Sequence, residues 1–195
     1  SAEGYVRDPE LVIDFYNERR KQLLDVEPNA GHTGLAELEK DFNVTVVTQN
    51  VDNLHERAGS THVIHLHGKL TKVCSSRDPY NPRYVRELKP EEYEVKMGDK
   101  AGDGSQLRPF IVWFGEAVPE IETAIGYVEK ADIFVIIGTS MNVYPAAGLL
   151  NYVPRTAEVY LIDPKPVDTH SMRQIHVIQK GASEGVKELK TEILH

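Results

Sequence analysis

The chain has 195 residues, 41% hydrophobic and 27% charged, with a formal net charge of −8. That length allows one ordinary domain with a small inserted lobe, and enough interior for a real core. So acidic a balance argues against a nucleic-acid backbone or an anionic membrane as main partner, and no apolar run is long enough to span a bilayer. The single cysteine, Cys74, cannot staple the fold or build a cysteine-rich zinc site. It fits a reducing cytosol, so a cytoplasmic location is expected; the chain is also expected to be a monomer. The opening SAEGYVRDPE has no initiator Met and does not resemble the first strand of a domain. The expectation is a chain that begins partway through a longer protein.

Asp8-Pro9-Glu10 is a helix start: an Asp cap, Pro in the first turn, and an acid near the positive helix end. Leu11, Phe15 and Leu23 then recur at helical spacing, and residues 31–40 read as a second helix. VTVVT (44–48) is β-branched and strand-like, and HVIHLHG (62–68) alternates as a strand does. Residues 74–106 are polar, proline-bearing and end in a Gly/Asp-rich turn, the composition of an inserted lobe with little core of its own. Apolar order returns at RPFIVWFGE (108–116). A helix at 119–130, a strand at 133–138, a helix from about 145, strands at 158–162 and 176–178, and a helix at 183–193 follow.

Short buried strands alternating with helices predict an α/β, doubly wound, Rossmann-like parallel sheet. Residues 1–73 and 107–195 would form it, with 74–106 as the small lobe. Ligands in such sheets bind beyond the carboxyl ends of the strands. Three strands end in polar clusters there: Gln49-Asn50, Gly138-Thr139-Ser140, and Asp163-Pro164. They read as three pieces of one cofactor cleft, although the GxGxxG fingerprint is absent.

Gly138, Thr139 and Ser140 suit the approach of a phosphate or ribose, and equally an ordinary turn. Asp163 can accept from ribose hydroxyls or hold a turn beside Pro164. Gln49 and Asn50 can hold an amide or a water, and Asp52 can do the same or cap a helix. His65 and His67, two apart, would share one face of a strand. His67 precedes Gly68, whose missing side chain would leave room for a ligand. His67 suits a general base, but a His-x-His pair also has metal-ligand spacing, and a histidine can be merely structural. Tyr16 and Arg19 share a helix face and would clamp a carboxylate, or form a solvated Arg beside a half-buried Tyr.

PNAGHTGLAELE (28–39), TQNVDNLHERAG (48–59), IHLHGKL (64–70), FIVWFGE (110–116), IGTSMNVYPAAG (137–148) and KGASEGVKEL (180–189) together resemble the sirtuin family of NAD-dependent protein lysine deacylases. The segments run over nearly the whole chain in the family's order, and FYNERR points to the bacterial CobB-like class III group. The resemblance implies that His67 is the catalytic base. Gln49, Asn50, Val51 and Asp52 would line the nicotinamide–ribose pocket. Gly138, Thr139 and Ser140 would contact cofactor ribose and phosphate, Asp163 the adenosine ribose, and Ala182 the adenine. The backbone of Val112, Phe114, Gly115 and Glu116, and of Met141, Asn142 and Val143, would pair with an acyl-lysine peptide as an added strand. Tyr16 and Arg19 would recognise a succinyl or malonyl carboxylate. The implied reaction turns acyl-lysine, NAD and water into free lysine, nicotinamide and O-acyl-ADP-ribose.

Two departures shape the expectations. Most sirtuins hold a structural zinc through four cysteines, and only Cys74 stands here, so no zinc is expected. Family members also begin with a strand and a Gly-rich loop over the NAD pyrophosphate. Neither lies within these 195 residues. An N-terminally incomplete chain with impaired turnover, or a non-catalytic acyl-lysine-binding form, is therefore the alternative to a working deacylase. A metallohydrolase built on His65 and His67 is the third reading.

Overall fold

The computed structural model describes residues 1–138, 146–169 and 173–194. Its elements, in chain order, are α1 (Ala2–Arg7), α2 (Pro9–Leu23), α3 (Ala30–Glu37), β1 (Val46–Thr48), α4 (Leu54–Arg57), β2 (Val63–His65), β3 (Gly68–Ser75), β4 (Arg86–Glu87), β5 (Leu107–Ile111), α5 (Ile121–Val128), β6 (Ile133–Ile137), α6 (Ala146–Leu149), β7 (Glu158–Ile162), β8 (His176–Ile178) and α7 (Ala182–Ile193). The chain divides into two compact units. The first comprises residues 1–27, 48–53 and 65–119, the second 28–47, 54–64 and 120–195. Among the described residues no helix is long and apolar enough to cross a membrane.

In the first unit, Asp8 caps α2 by accepting from the Leu11 N–H at 3.2 Å, and Pro9 occupies the first turn. The buried stripe of α2 is Ile13, Asn17, Arg20 and Leu23. Leu11 and Phe15, expected on the apolar face, are 64% and 53% exposed. Hydrogen bonding decided the rotation of this helix. The Asn17 amide exchanges two bonds with the Val95 backbone, at 2.7 and 2.9 Å. Arg20 donates to the carbonyls of Leu70 and Tyr93 and to Asn17 Oδ1. Burial brings its guanidinium pKa down to about 10, still well protonated at neutral pH.

The sheet of this unit is antiparallel, in the order β4-β3-β5, which corrects the expectation of parallel strands for this part of the chain. Residues 74–106 contribute Leu88, Val95 and Ala101 to a core shared with Ile13, Val73 and Leu107. At the base of the excursion, Asp103 accepts from the hydroxyls of Ser75 and Ser105, at 2.5 and 2.6 Å. Those bonds, led by the one from Ser105, hold its carboxyl down at about 2. Cys74 is buried there as a free thiol, pushed up to about 11 by desolvation.

The second unit carries the parallel sheet, β6-β7-β8, in continuous register from Ile133 opposite Glu158 to Ile137 opposite Ile162. Its strands are β-branched and apolar because the sheet is covered. Tyr160, Ile162 and Ile178 pack with Leu38, Val186 and Leu189. Small residues let α7 approach closely: a Cβ on Gly185 would stand 2.2 Å from Ile162 Cγ2, and one on Gly34 2.7 Å from Val186 Cγ1. β1 pairs with β2 in a separate two-stranded ladder.

Candidate functional site

The strand expected over 62–68 stops at His65. Leu66 and His67 form a turn and β3 begins at Gly68, so the two histidines do not share a strand face. Leu66, wholly buried, anchors the turn. The His67 carbonyl accepts from the Val112 N–H at 2.8 Å, which ties the turn to the end of β5. Gly68 has a φ of +88°, and a Cβ there would stand 2.0 Å from the Phe110 carbonyl oxygen. Its missing side chain therefore serves the approach of two backbones, rather than the ligand space expected from sequence. Burial lowers the His67 pKa below its ordinary value. The imidazole is thus neutral at physiological pH and able to take a proton.

His65 does something else. Its Nδ1 lies 3.0 Å from the Asn50 carbonyl oxygen, which can only accept, so Nδ1 carries the proton and donates. Asn50 N–H in turn donates to Thr48 Oγ1 at 3.0 Å, and the Val51 carbonyl accepts from Leu70 N–H at 2.7 Å. These bonds hold Gln49, Asn50, Val51 and Asp52 beside the β2–β3 turn in the same unit. The Asn50 side chain is exposed, while Gln49, Val51 and Asp52 are half-buried.

On α2, Tyr16 is half-buried and Arg19 exposed. The Arg19 guanidinium sits 5.9 Å from the centre of the Phe15 ring, and the Phe15 and Tyr16 rings meet edge to face at 5.1 Å. Trp113, 5% exposed, donates its indole N–H to the Tyr16 oxygen at 3.1 Å. The indole is held in turn by the Arg108 guanidinium 3.9 Å from its ring and by the Tyr5 ring at 5.4 Å.

The segment after β5 is not extended: Glu116 N–H donates back to the Trp113 carbonyl at 2.9 Å, and Gly115 turns at a φ of +90°. Phe114 is fully exposed at the tip. Glu116 Oε1 accepts from the Trp113 N–H and from the Tyr80 hydroxyl, both at 2.7 Å, with Arg108 3.6 Å away. Burial and then the bond to Glu116 push the Tyr80 phenol well up, so it stays a donor. Sequence reasoning missed Trp113, Arg108 and Tyr80. Trp113 and Tyr80 find their partners 97 and 36 residues away, and only the aromatic–acid run WFGE hinted at them.

In the second unit, β6 runs into Gly138, which has a φ of +61° and donates its N–H to the Ile162 carbonyl at 3.1 Å. Two of the three expected strand ends are therefore neighbours in one parallel sheet, while β1 lies in the other ladder. Asp163, half-buried, accepts from the Lys165 N–H at 2.8 Å through one carboxylate oxygen. The turn role weighed for it is real, and a carboxylate has lone pairs enough to accept from a diol as well. Ala182 opens α7 beside Gly31 of α3, where a Cβ would come within 3.3 Å of its own. Thr139, Ser140, Met141, Asn142 and Val143 lie outside the described residues. Among the described residues, no group of three or more His, Cys, Asp and Glu is placed to hold a metal ion.

A model of the Sir2 family matches residues 1–145. An NAD-dependent protein deacylase of Bacteroides thetaiotaomicron is 84% identical over 190 residues, covering 97% of this chain and 81% of its own length. One of Helicobacter pylori is 46% identical over 194 residues, covering 100% of this chain and 82% of that protein. Among solved structures, a Sir2 homologue in complex with NAD superposes with a TM-score of 0.83 at 34% identity, covering 100% of this chain and 75% of that one. A Sir2–p53 peptide–NAD+ complex superposes with a TM-score of 0.76 at 29% identity, covering 97% and 80%.

Proposed function

The chain belongs to the Sir2 family, and on that premise we propose that it is an NAD-dependent protein-lysine deacylase that prefers succinyl and malonyl groups. The observation that carries this reading is His67: a half-buried imidazole kept neutral by desolvation, on a turn tied to the end of β5. NAD, as co-substrate, supplies the ribose carbon from which nicotinamide leaves and the ADP-ribose that takes the acyl group. The residues of the second unit fit its nucleoside end. Gly138, at a positive φ and bonded to the Ile162 carbonyl, and the Asp163 carboxylate one residue beyond Ile162 suit a ribose diol at a strand terminus.

In this reading Gln49, Asn50, Val51 and Asp52 bound the nicotinamide end, and His65 fixes their backbone. His67 accepts the proton of a ribose hydroxyl as that hydroxyl attacks the acyl carbon. The peptide runs along Val112, Phe114, Gly115 and Glu116 and along Met141, Asn142 and Val143, with Ala182 toward the adenine. Tyr16 and Arg19 face the acyl carboxylate as two donors. A cytoplasmic monomer fits the single free thiol and the net charge of −8.

Nicotinamide release from succinyl- and acetyl-lysine peptides tests the reading with three proteins: wild type, His67→Tyr and Arg19→Met. His67→Tyr should lose at least about a hundredfold in rate, the scale of a general base. Arg19→Met should lose the succinyl preference. Full activity in His67→Tyr refutes the base, and an unchanged preference in Arg19→Met refutes the clamp. Tight peptide binding with no nicotinamide release would favour a non-catalytic binding form. The acid limb of kcat/KM should fall below pH 6.5, because the active form is the neutral imidazole and its pKa is lowered from 6.5. A limb above pH 6.5 contradicts that assignment.

A further inference from the structure

The Tyr16 oxygen is engaged before any substrate arrives. Trp113 Nε1–H points at it from 3.1 Å, and an indole N–H can only donate. A phenol has one proton and two lone pairs. With a lone pair occupied by the indole, its proton turns away from Trp113 and toward whatever acceptor lies in the acyl site. Arg19, the other member of the clamp, is a pure donor as well. The pair is thereby committed to donating.

We infer that Trp113 is a positioning residue for acyl specificity: its indole N–H makes the Tyr16 hydroxyl a donor toward the acyl group, and so selects a carboxylate-bearing acyl chain. The inference rests on the reading of Tyr16 and Arg19 as the acyl clamp. The indole is built to hold this orientation. It is nearly fully buried and packs against the Arg108 guanidinium and the Tyr5 ring, and the Trp113 backbone N–H is bonded to Glu116. It also follows directly on Val112, whose N–H holds the His67 carbonyl. The end of β5 therefore carries both the tether of the proposed base and the group that sets the polarity of the clamp. An acyl chain ending in a methyl offers no acceptor to this pair, and one ending in a carboxylate offers two oxygens.

Trp113→Phe keeps a buried aromatic ring for Arg108 and Tyr5 and removes the N–H together with part of the ring area. Calorimetric binding of succinyl-lysine and acetyl-lysine peptides to wild type, Trp113→Phe, Tyr16→Phe and the double variant reads the effect without turnover. The ratio of succinyl to acetyl affinity should fall about tenfold in Trp113→Phe, the scale of one hydrogen bond to a charged group. The double variant should fall no further than Tyr16→Phe alone, since the indole acts through the phenol. Trp113 is the only tryptophan in the chain, so its fluorescence gives a second readout. Succinyl peptide should shift its emission more in wild type than in Tyr16→Phe. An unchanged ratio in Trp113→Phe, with a reduced ratio in Tyr16→Phe, overturns the role of Trp113 and leaves the clamp standing. An unchanged ratio in both Tyr16→Phe and Arg19→Met overturns the clamp and the inference with it.

Discussion

The two units position their residues by opposite means. In the first, buried polar groups find hydrogen-bond partners over long sequence distances. Asn17 reaches the Val95 backbone, and Arg20 the carbonyls of Leu70 and Tyr93. In the second, β-branched strands and glycines bring apolar surfaces together, as where Gly185 meets Ile162 and Gly34 meets Val186. The difference teaches where each kind of holding is useful. A base and a carboxylate clamp need side chains aimed to a fraction of an ångström, which directional hydrogen bonds supply. Strand ends that present backbone to a nucleotide need only a rigid parallel sheet.

Substitutions that attack one kind of holding at a time can break this comparison. The largest effect is expected from Gly68→Ala, which forces a Cβ into the Phe110 carbonyl at a positive φ. It should cost about 4 kcal/mol or more, in the exceptional class for single changes, and denaturant unfolding measures it. A wild-type-like midpoint would mean that the β3–β5 approach is not tight.

Leu189→Ala comes next. It removes a wholly buried side chain of the second unit and should cost about 3 kcal/mol through a cavity. Hydrogen exchange should then rise in β7 and α7. Asn17→Ala is the matched polar test in the first unit. It leaves the Val95 N–H and carbonyl without their amide partner and should cost about 2 kcal/mol. A negligible loss there would end the claim that buried hydrogen bonds set the rotation of α2.

The smallest effect concerns Asp103. Its folded carboxyl lies at about 2, below the roughly 3.9 of an unfolded aspartate. A depressed acid contributes stability that is present above the unfolded value and lost as pH falls through the folded one. The melting temperature of wild type should therefore drop between about pH 4 and pH 2, and Asp103→Asn should flatten that part of the curve. An identical acid profile in the two proteins would remove Asp103 from the account.

Much of this was legible along the chain because its causes are local. The α2 cap needs only Asp8 and Pro9, and β7 needs only the run EVYLI, read at its observed bounds. The motif segments that resembled a sirtuin led to the family that the comparisons establish. Other readings failed for one physical reason. The apolar spacing of Leu11 and Phe15 is genuine, but Asn17 and Arg20 outbid it for the interior with partners about fifty to eighty residues away. The alternation of HVIHLHG is also genuine, yet the pairing of β3 with β5 starts a new strand at Gly68 and leaves His67 on a turn.

Residue chemistry and short-range pattern thus determined helix starts and strand cores, while motif resemblance led to the family and nominated His67 as the candidate base. Tertiary structure alone decided which face of α2 is buried, that Gly68 serves a backbone contact, that His65 holds Asn50, and that Trp113 meets Tyr16. Each of those is a contact between residues far apart in sequence, and hydrogen-bond geometry at such range is written in no local period.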